Sequence, residues 1–212
     1  MIGLLEKLFD GQEHKFLQAV SAVGIFIVGL MFGALFATAA IEEWVIDPHT
    51  ATVRESADRE SWLAHVVHHR YKVPKPQSEL TAKTIMSAAA AEDIDPLILT
   101  AQIHVESSFR GAVVGEHGEI GFMQVKEKYW KKECKRYSIR DKYENIFAGA
   151  CALRWTMDRT DNDIRDALVA YNIGMHDFDN RIDLFRGFIY RGKVLKEYKE
   201  LNKLLDVEVD TL

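Results

Sequence analysis

Beyond residue 80, apolar positions recur at steps of three and four through most of the chain, the spacing of helices that bury one stripe. The pattern predicts an alanine-rich helix over 80–91 and a second over 96–107, in which Ile98, Ala101 and Val105 share one side. Ile146, Ala150, Leu153 and Met157 mark a third. Ile164, Leu168 and Tyr171 mark a fourth that stops at Gly174, and Val194, Tyr198, Leu201 and Leu205 mark a fifth. Only 111–124 departs from helical spacing, and glycines at 115, 118 and 121 predict tight turns there. The expected fold class is all-α.

A different pattern occupies the amino-terminal part. From Phe16 to Ile41 no charged residue occurs in 26 positions. At ~1.5 Å per residue such a helix exceeds the ~30 Å hydrocarbon core of a bilayer, so one transmembrane helix over 16–41 is expected. Ala37-Thr38-Ala39 has the form of a signal-peptide cleavage site, but the apolar run is long and the acidic residues Glu6, Asp10 and Glu13 precede it instead of a basic region. An uncleaved anchor is the expectation. Lys15 before the run and Glu42 and Glu43 after it favour a cytoplasmic amino end. Gly29, Gly33 and Ala37 would line one face, where small residues permit close helix pairing and are also common in any span.

The chain then divides into a cytoplasmic segment 1–15, the span 16–41, a stalk 42–79, a catalytic-type domain 80–205 and a tail 206–212. The stalk holds Pro48, Pro74 and Pro76, which predict extended backbone at 72–76. A helix over about 53–71 would carry Trp62, Leu63, Val66 and Val67 on an apolar side. His65, His68 and His69 have helical spacing, but no cysteine or carboxylate is placed to complete a metal site. The chain's 212 residues suffice for one domain with a single core plus this added structure. Its two cysteines, Cys134 and Cys151, fit either a disulfide closing a short loop or, for Cys151, a small core position.

Chemistry concentrates between Asp95 and Gln124. Asp95 is placed to cap a helix with Pro96 at its first position, and the stripe delivers Glu106 where the buried face meets the surface. A half-buried carboxyl there loses hydration of its charged form, so it should hold a proton near neutral pH. No second carboxylate is clearly paired with it, although Glu116 and Glu119 fall in the glycine-rich stretch.

These residues resemble the soluble-type (SLT) lytic transglycosylases of the lysozyme-like superfamily. In that family a helix beginning Asp-Pro ends in Glu-Ser, and Ser-x-x-Gly-Ala-x-Gly-Leu-Met-Gln follows. Here that stretch reads from Gly115 through Gly118, Glu119, Gly121, Phe122 and Met123 to Gln124, with Gly115 in place of the serine and Glu119 in place of the alanine. Asn145, Gly149 and Leu153 resemble the family's next helix. Ala170-Tyr171-Asn172-Ile173-Gly174 resembles its Ala-Tyr-Asn-x-Gly, and Tyr190, Lys193, Val194, Leu195 and Tyr198 its closing helix. The resemblance spans roughly 80–200.

It implies a lysozyme-like, mainly helical fold with a short β-hairpin in the cleft wall. It also implies cleavage of the bond between N-acetylmuramic acid and N-acetylglucosamine in peptidoglycan, with formation of a 1,6-anhydro sugar. Glu106 would be the catalytic acid and then base. Ser107 would position it, Gln124 and Asn172 would hold sugar groups, Met123 and Tyr171 would supply apolar walls, and Tyr190 would lie near the acid. No metal or cofactor is called for. The expected partners are glycan strands, a lipid bilayer at 16–41, and components of an envelope machine or a virion; no nucleic acid is expected. The expected location is a bacterial inner membrane with the domain in the periplasm, or a virion. A muramidase of the goose-lysozyme kind and a non-catalytic glycan-binding protein of the same fold are the alternatives.

Overall fold

In the computed structural model, residues 48–130, 132 and 134–209 are described. Contacts divide the chain into Met1–Arg54 and Glu55–Leu212. The expected membrane span 16–41 lies outside the described residues. Among those described, no helix is long and apolar enough to cross a membrane.

Among the described residues eight helices follow in order: α1 Pro48–His69, α2 Lys75–Glu92, α3 Pro96–Ser107, α4 Glu127–Trp130, α5 Glu144–Met157, α6 Ile164–Ile173, α7 Met175–Asp179 and α8 Leu184–Val209. The helix expected as a stalk is α1, and its part from Glu55 onward belongs to the second unit: Leu63, Val66 and Val67 are buried in the same core as Ile85, Leu99, Ile146 and Leu168. The domain therefore begins well before residue 80. Its stripe needs an apolar partner as much as the others do, and α2 starts at Lys75 because Pro76 sits in the first turn, where a missing N–H costs nothing.

The helix carrying the acid is fixed at both ends. Asp95 Oδ1 accepts the Leu97 N–H at 2.8 Å, and Asp95 Oδ2 accepts the Tyr198 hydroxyl of α8 at 2.7 Å. The side chains of Ile98, Leu99, Ala101 and Ile103 are buried, each Leu or Ile contributing about 2 kcal/mol. Beyond Ser107 the chain reverses through Ser108 and Phe109, both left-handed with φ of 50° and 60°. Phe109 is held there by burial and by stacking on Tyr71 at 4.5 Å. Helix α8 packs on both α3 and α6, and α2 packs on α5.

The expected hairpin is reduced to two isolated antiparallel bridges, Val114 with Ile120 and Ile120 with Val125. Gly118 and Gly121 turn the backbone at φ of 84° and 78°, leaving too few extended residues between them for a regular strand. Asn145 at the start of α5 replaces the missing ladder. Its Nδ2 donates to the carbonyls of Ile120 and Ile139, both at 2.9 Å, and its Oδ1 accepts the Met123 N–H at 2.9 Å. One turn on, Gly149 gives Met123 its place: a Cβ there would lie 2.3 Å from that of Met123. A disulfide joins Cys134 to Cys151 on the same helix, settling the open alternative in favour of the bridge.

Candidate active site

A cleft of about 650 Å³ opens between the turn-rich wall and helices α5 to α8, and Glu106 stands in it with Glu119, Gln124, Tyr171 and Asn172. A second groove of about 390 Å³ continues past the acid, sharing Glu106 and Asn172 and lined by Tyr190, Phe185, Ile189 and Lys193. Glu106 and Asn172 thus lie where the two cavities adjoin. Phe185 is 77% exposed at the rim of the second groove.

Burial pushes the Glu106 carboxyl up to about 8. Tyr190 opposes the shift by donating its hydroxyl to Oε1 at 2.5 Å, and the negative charge of Glu119 adds to it. Burial also raises Tyr190 and Tyr171 well above the usual phenol range, so both stay neutral and Tyr190 acts as a donor. The result is a neutral carboxylic acid, hydrogen-bonded on one oxygen and facing open space.

The other residues singled out in the sequence take distinct places. Tyr171 is buried, lines the cleft and donates to the Met123 carbonyl at 2.8 Å. Met123 is fully buried and forms the wall from behind, between Tyr171, Asn145 and Gly149. Gln124 lines the cleft with its amide nitrogen donating to the Gly121 carbonyl at 2.9 Å. Asn172 touches both cavities, and its Oδ1 is buried without a hydrogen-bond partner among the described residues. The Ser107 hydroxyl is buried and donates to the Ile103 carbonyl at 3.2 Å, which closes the last turn of α3 under the acid.

Several lining residues carried no sequence signal. His117, Lys126, Trp155, His176, Asp177 and Arg186 enter the cleft from four different elements. Glu119 stood out in the sequence as a departure from the motif and, with Glu116, as a carboxylate in the glycine-rich stretch. In the structure it lines the cleft, pairs with Lys126 Nζ at 2.8 Å and accepts the His117 N–H at 2.9 Å. Burial alone would raise its carboxyl, but the Lys126 ammonium and the N–H groups of Glu119 and His117 outweigh it and hold the group below its usual range. The cleft therefore holds Glu106, whose burial favours the protonated form, in the same space as Glu119, whose partners favour the ionised one.

A family model described as the transglycosylase SLT domain matches residues 83–188, half of the chain. Among solved structures, an inactive mutant of the lytic transglycosylase Slt from Pseudomonas aeruginosa is similar, with a TM-score of 0.54 and 17% identity. The match covers 68% of this chain and 30% of that one, so this chain spans under a third of that protein, and the likeness concerns the fold. A comparison with curated proteins returns no match. The matched segment carries Glu106, the turn-rich wall, Asn145 and the Tyr171-Asn172 pair, and on that match the chain belongs to the transglycosylase SLT domain family of lytic transglycosylases.

Proposed function

We propose that this domain cleaves the β-1,4 bond between N-acetylmuramic acid and N-acetylglucosamine in peptidoglycan and releases a 1,6-anhydro end. The observation that carries the reading is the neutral Glu106 at the junction of the two cavities, with Tyr190 on one oxygen. Glu106 donates its proton to the glycosidic oxygen as the bond to C1 breaks, and the substrate's own acetamide stabilises the oxocarbenium-like centre. The muramic acid C6 hydroxyl then bonds to C1 and gives its proton to the Glu106 carboxylate. The acid is regenerated and no water is consumed. One residue serves both steps, which requires a proton affinity close to the working pH.

Asn172 supports this reading as a subsite residue, because its free Oδ1 can accept from a sugar amide or hydroxyl. Gln124 and Tyr171 form the facing wall. Mass spectrometry of sacculi digested with the protein tests the reading: muropeptides ending in 1,6-anhydromuramic acid are expected, and ends carrying an added water would overturn it. Hydrolysis is the second reading, favoured by the ionised Glu119 in the same cleft, since a second carboxylate is what activation of water requires.

The uncharged run 16–41 supports a single-pass anchor that holds the domain against the wall from the periplasmic side of a bacterial inner membrane, for local opening at an envelope machine or in a virion. Protein extracted in detergent should then retain its first 39 residues. A mature amino terminus at Ala40 would show a cleaved signal peptide instead.

A further inference from the structure

Gly115 and Glu119, the two departures from the family motif, are one physical feature. A Cβ placed on Gly115 would lie 2.5 Å from Glu119 Oε2 and 2.8 Å from Gln124 Oε1. A side chain at 115 would therefore force the Glu119 carboxylate and the Gln124 amide out of their present places. The turn between 115 and 119 is closed by the Gly115 N–H donating to the Glu119 carbonyl at 2.7 Å. The carboxylate is then fixed from two sides, by Lys126 at 2.8 Å and by the His117 N–H at 2.9 Å. A flexible surface glutamate would be screened and mobile, whereas this one is held in the wall of the cleft that Glu106 occupies.

The groups that face Glu106 come from every side. Tyr190, Arg186 and Lys193 come from α8, Tyr171 and Asn172 from α6, His176 and Asp177 from α7, and His117, Glu119 and Lys126 from the wall; Asp183 stands at the far end of the second groove. Tyr171 and Tyr190 are neutral. Asp177 is 3.0 Å from His176, and Asp183 is paired with Arg186 at 3.0 Å. Among the charged groups, it is Glu119 whose field raises the proton affinity of Glu106.

Building on the transglycosylase reading, we propose that Glu119 is a positioning residue: a fixed negative charge, admitted by Gly115 and tempered by Lys126, that keeps Glu106 in its proton-bearing form. It does not touch the reacting sugar. The two charges of the pair act on Glu106 in opposite directions, since removing Glu119 weakens the hold on the Glu106 proton and removing Lys126 strengthens it.

The test is the pH profile of sacculus digestion by the full chain, with Glu119→Gln and Lys126→Met beside wild type. The alkaline limb should move to lower pH in Glu119→Gln and to higher pH in Lys126→Met, each by roughly half a unit or more. Gly115→Ala should displace the carboxylate and move the limb in the same direction as Glu119→Gln but less far, while Glu119→Asp should restore part of the wild-type limb. Limbs that stay in place, or that move the same way in both variants, would overturn the proposal and leave a packing role. Direct titration of the Glu106 carboxyl by carbon NMR reads the same shifts without turnover. If wild type released no anhydro ends while those shifts appeared, the transglycosylase reading would fail and the electrostatic coupling would stand.

Discussion

Tyr190 reaches back 84 positions in sequence to donate its hydroxyl to Glu106 Oε1 at 2.5 Å, the one side-chain hydrogen bond on the acid among the described residues. The bond has two consequences of opposite sign. It fixes the rotamer of the carboxyl, which favours catalysis, and it stabilises the ionised form, which restrains the rise caused by burial.

Tyr190→Phe should therefore move the alkaline limb of activity to higher pH while lowering the maximal rate about tenfold, as expected for loss of one orienting contact. Rate profiles on purified sacculi measure both. A limb that moves to lower pH would show that the hydroxyl does not donate to the carboxylate.

Glu106→Gln should abolish turnover and stabilise the fold. Glutamine keeps the shape and can still accept from Tyr190, but it has no proton to give. The native state binds the Glu106 proton more tightly than the unfolded chain, whose ordinary value is 4.5 against about 8 in the fold. The burden of the native acid is thus absent below about pH 4.5 and grows as pH rises toward 8. At pH 7 the variant should be more stable by on the order of 3 kcal/mol, and at pH 4 by almost nothing. Urea unfolding at the two pH values checks this; equal gains at both would argue against a buried neutral acid.

Asn145→Ala should loosen the cleft wall without unfolding the domain. Three hydrogen bonds from one side chain hold Ile120, Met123 and Ile139 in place of a strand ladder. A cost of roughly 2–4 kcal/mol is expected from the buried partners left unpaired, together with faster amide exchange at Ile120 and Met123. Exchange measured by mass spectrometry would show whether the effect stays in that wall.

Reduction of the Cys134–Cys151 bridge should lower stability by about 3 kcal/mol, the usual value for a loop of this size. A Cys134→Ser, Cys151→Ser double variant should unfold at a correspondingly lower urea concentration and should no longer respond to reductant. Wild type that is indifferent to reductant would show that the bridge adds little.

The helix of the acid was legible because all its signals are local. Asp95 and Pro96 mark its start, the 98–101–105 stripe gives its inner face, and Glu106 follows from that face. The motif resemblance located Tyr171, Asn172 and Tyr190, but no spacing rule could show that Tyr190 meets Glu106 or that Asn145 bonds to three loop positions, since those contacts join distant parts of the chain. The pairing of Glu119 with Lys126 was hidden for another reason. Two charged residues in a glycine-rich turn look like solvated surface until the fold closes a cleft over them. The membership of α1 in the core was missed because the prolines at 74 and 76 read as a linker, whereas the chain merely turns there and re-enters the core.

Helix α8 grips α3 twice, by Tyr198 on Asp95 at its beginning and by Tyr190 on Glu106 at its end. A helix held at one point can still slide along its axis or roll about it. Two pins separated by three turns remove both freedoms, so the acid keeps its height and its azimuth whenever α8 is in place. The opposite bank is built differently, with glycines and single side-chain staples standing in for a sheet. On the transglycosylase reading, the domain is thus divided into an anvil that carries the proton and a turn-rich jaw across the cleft from it.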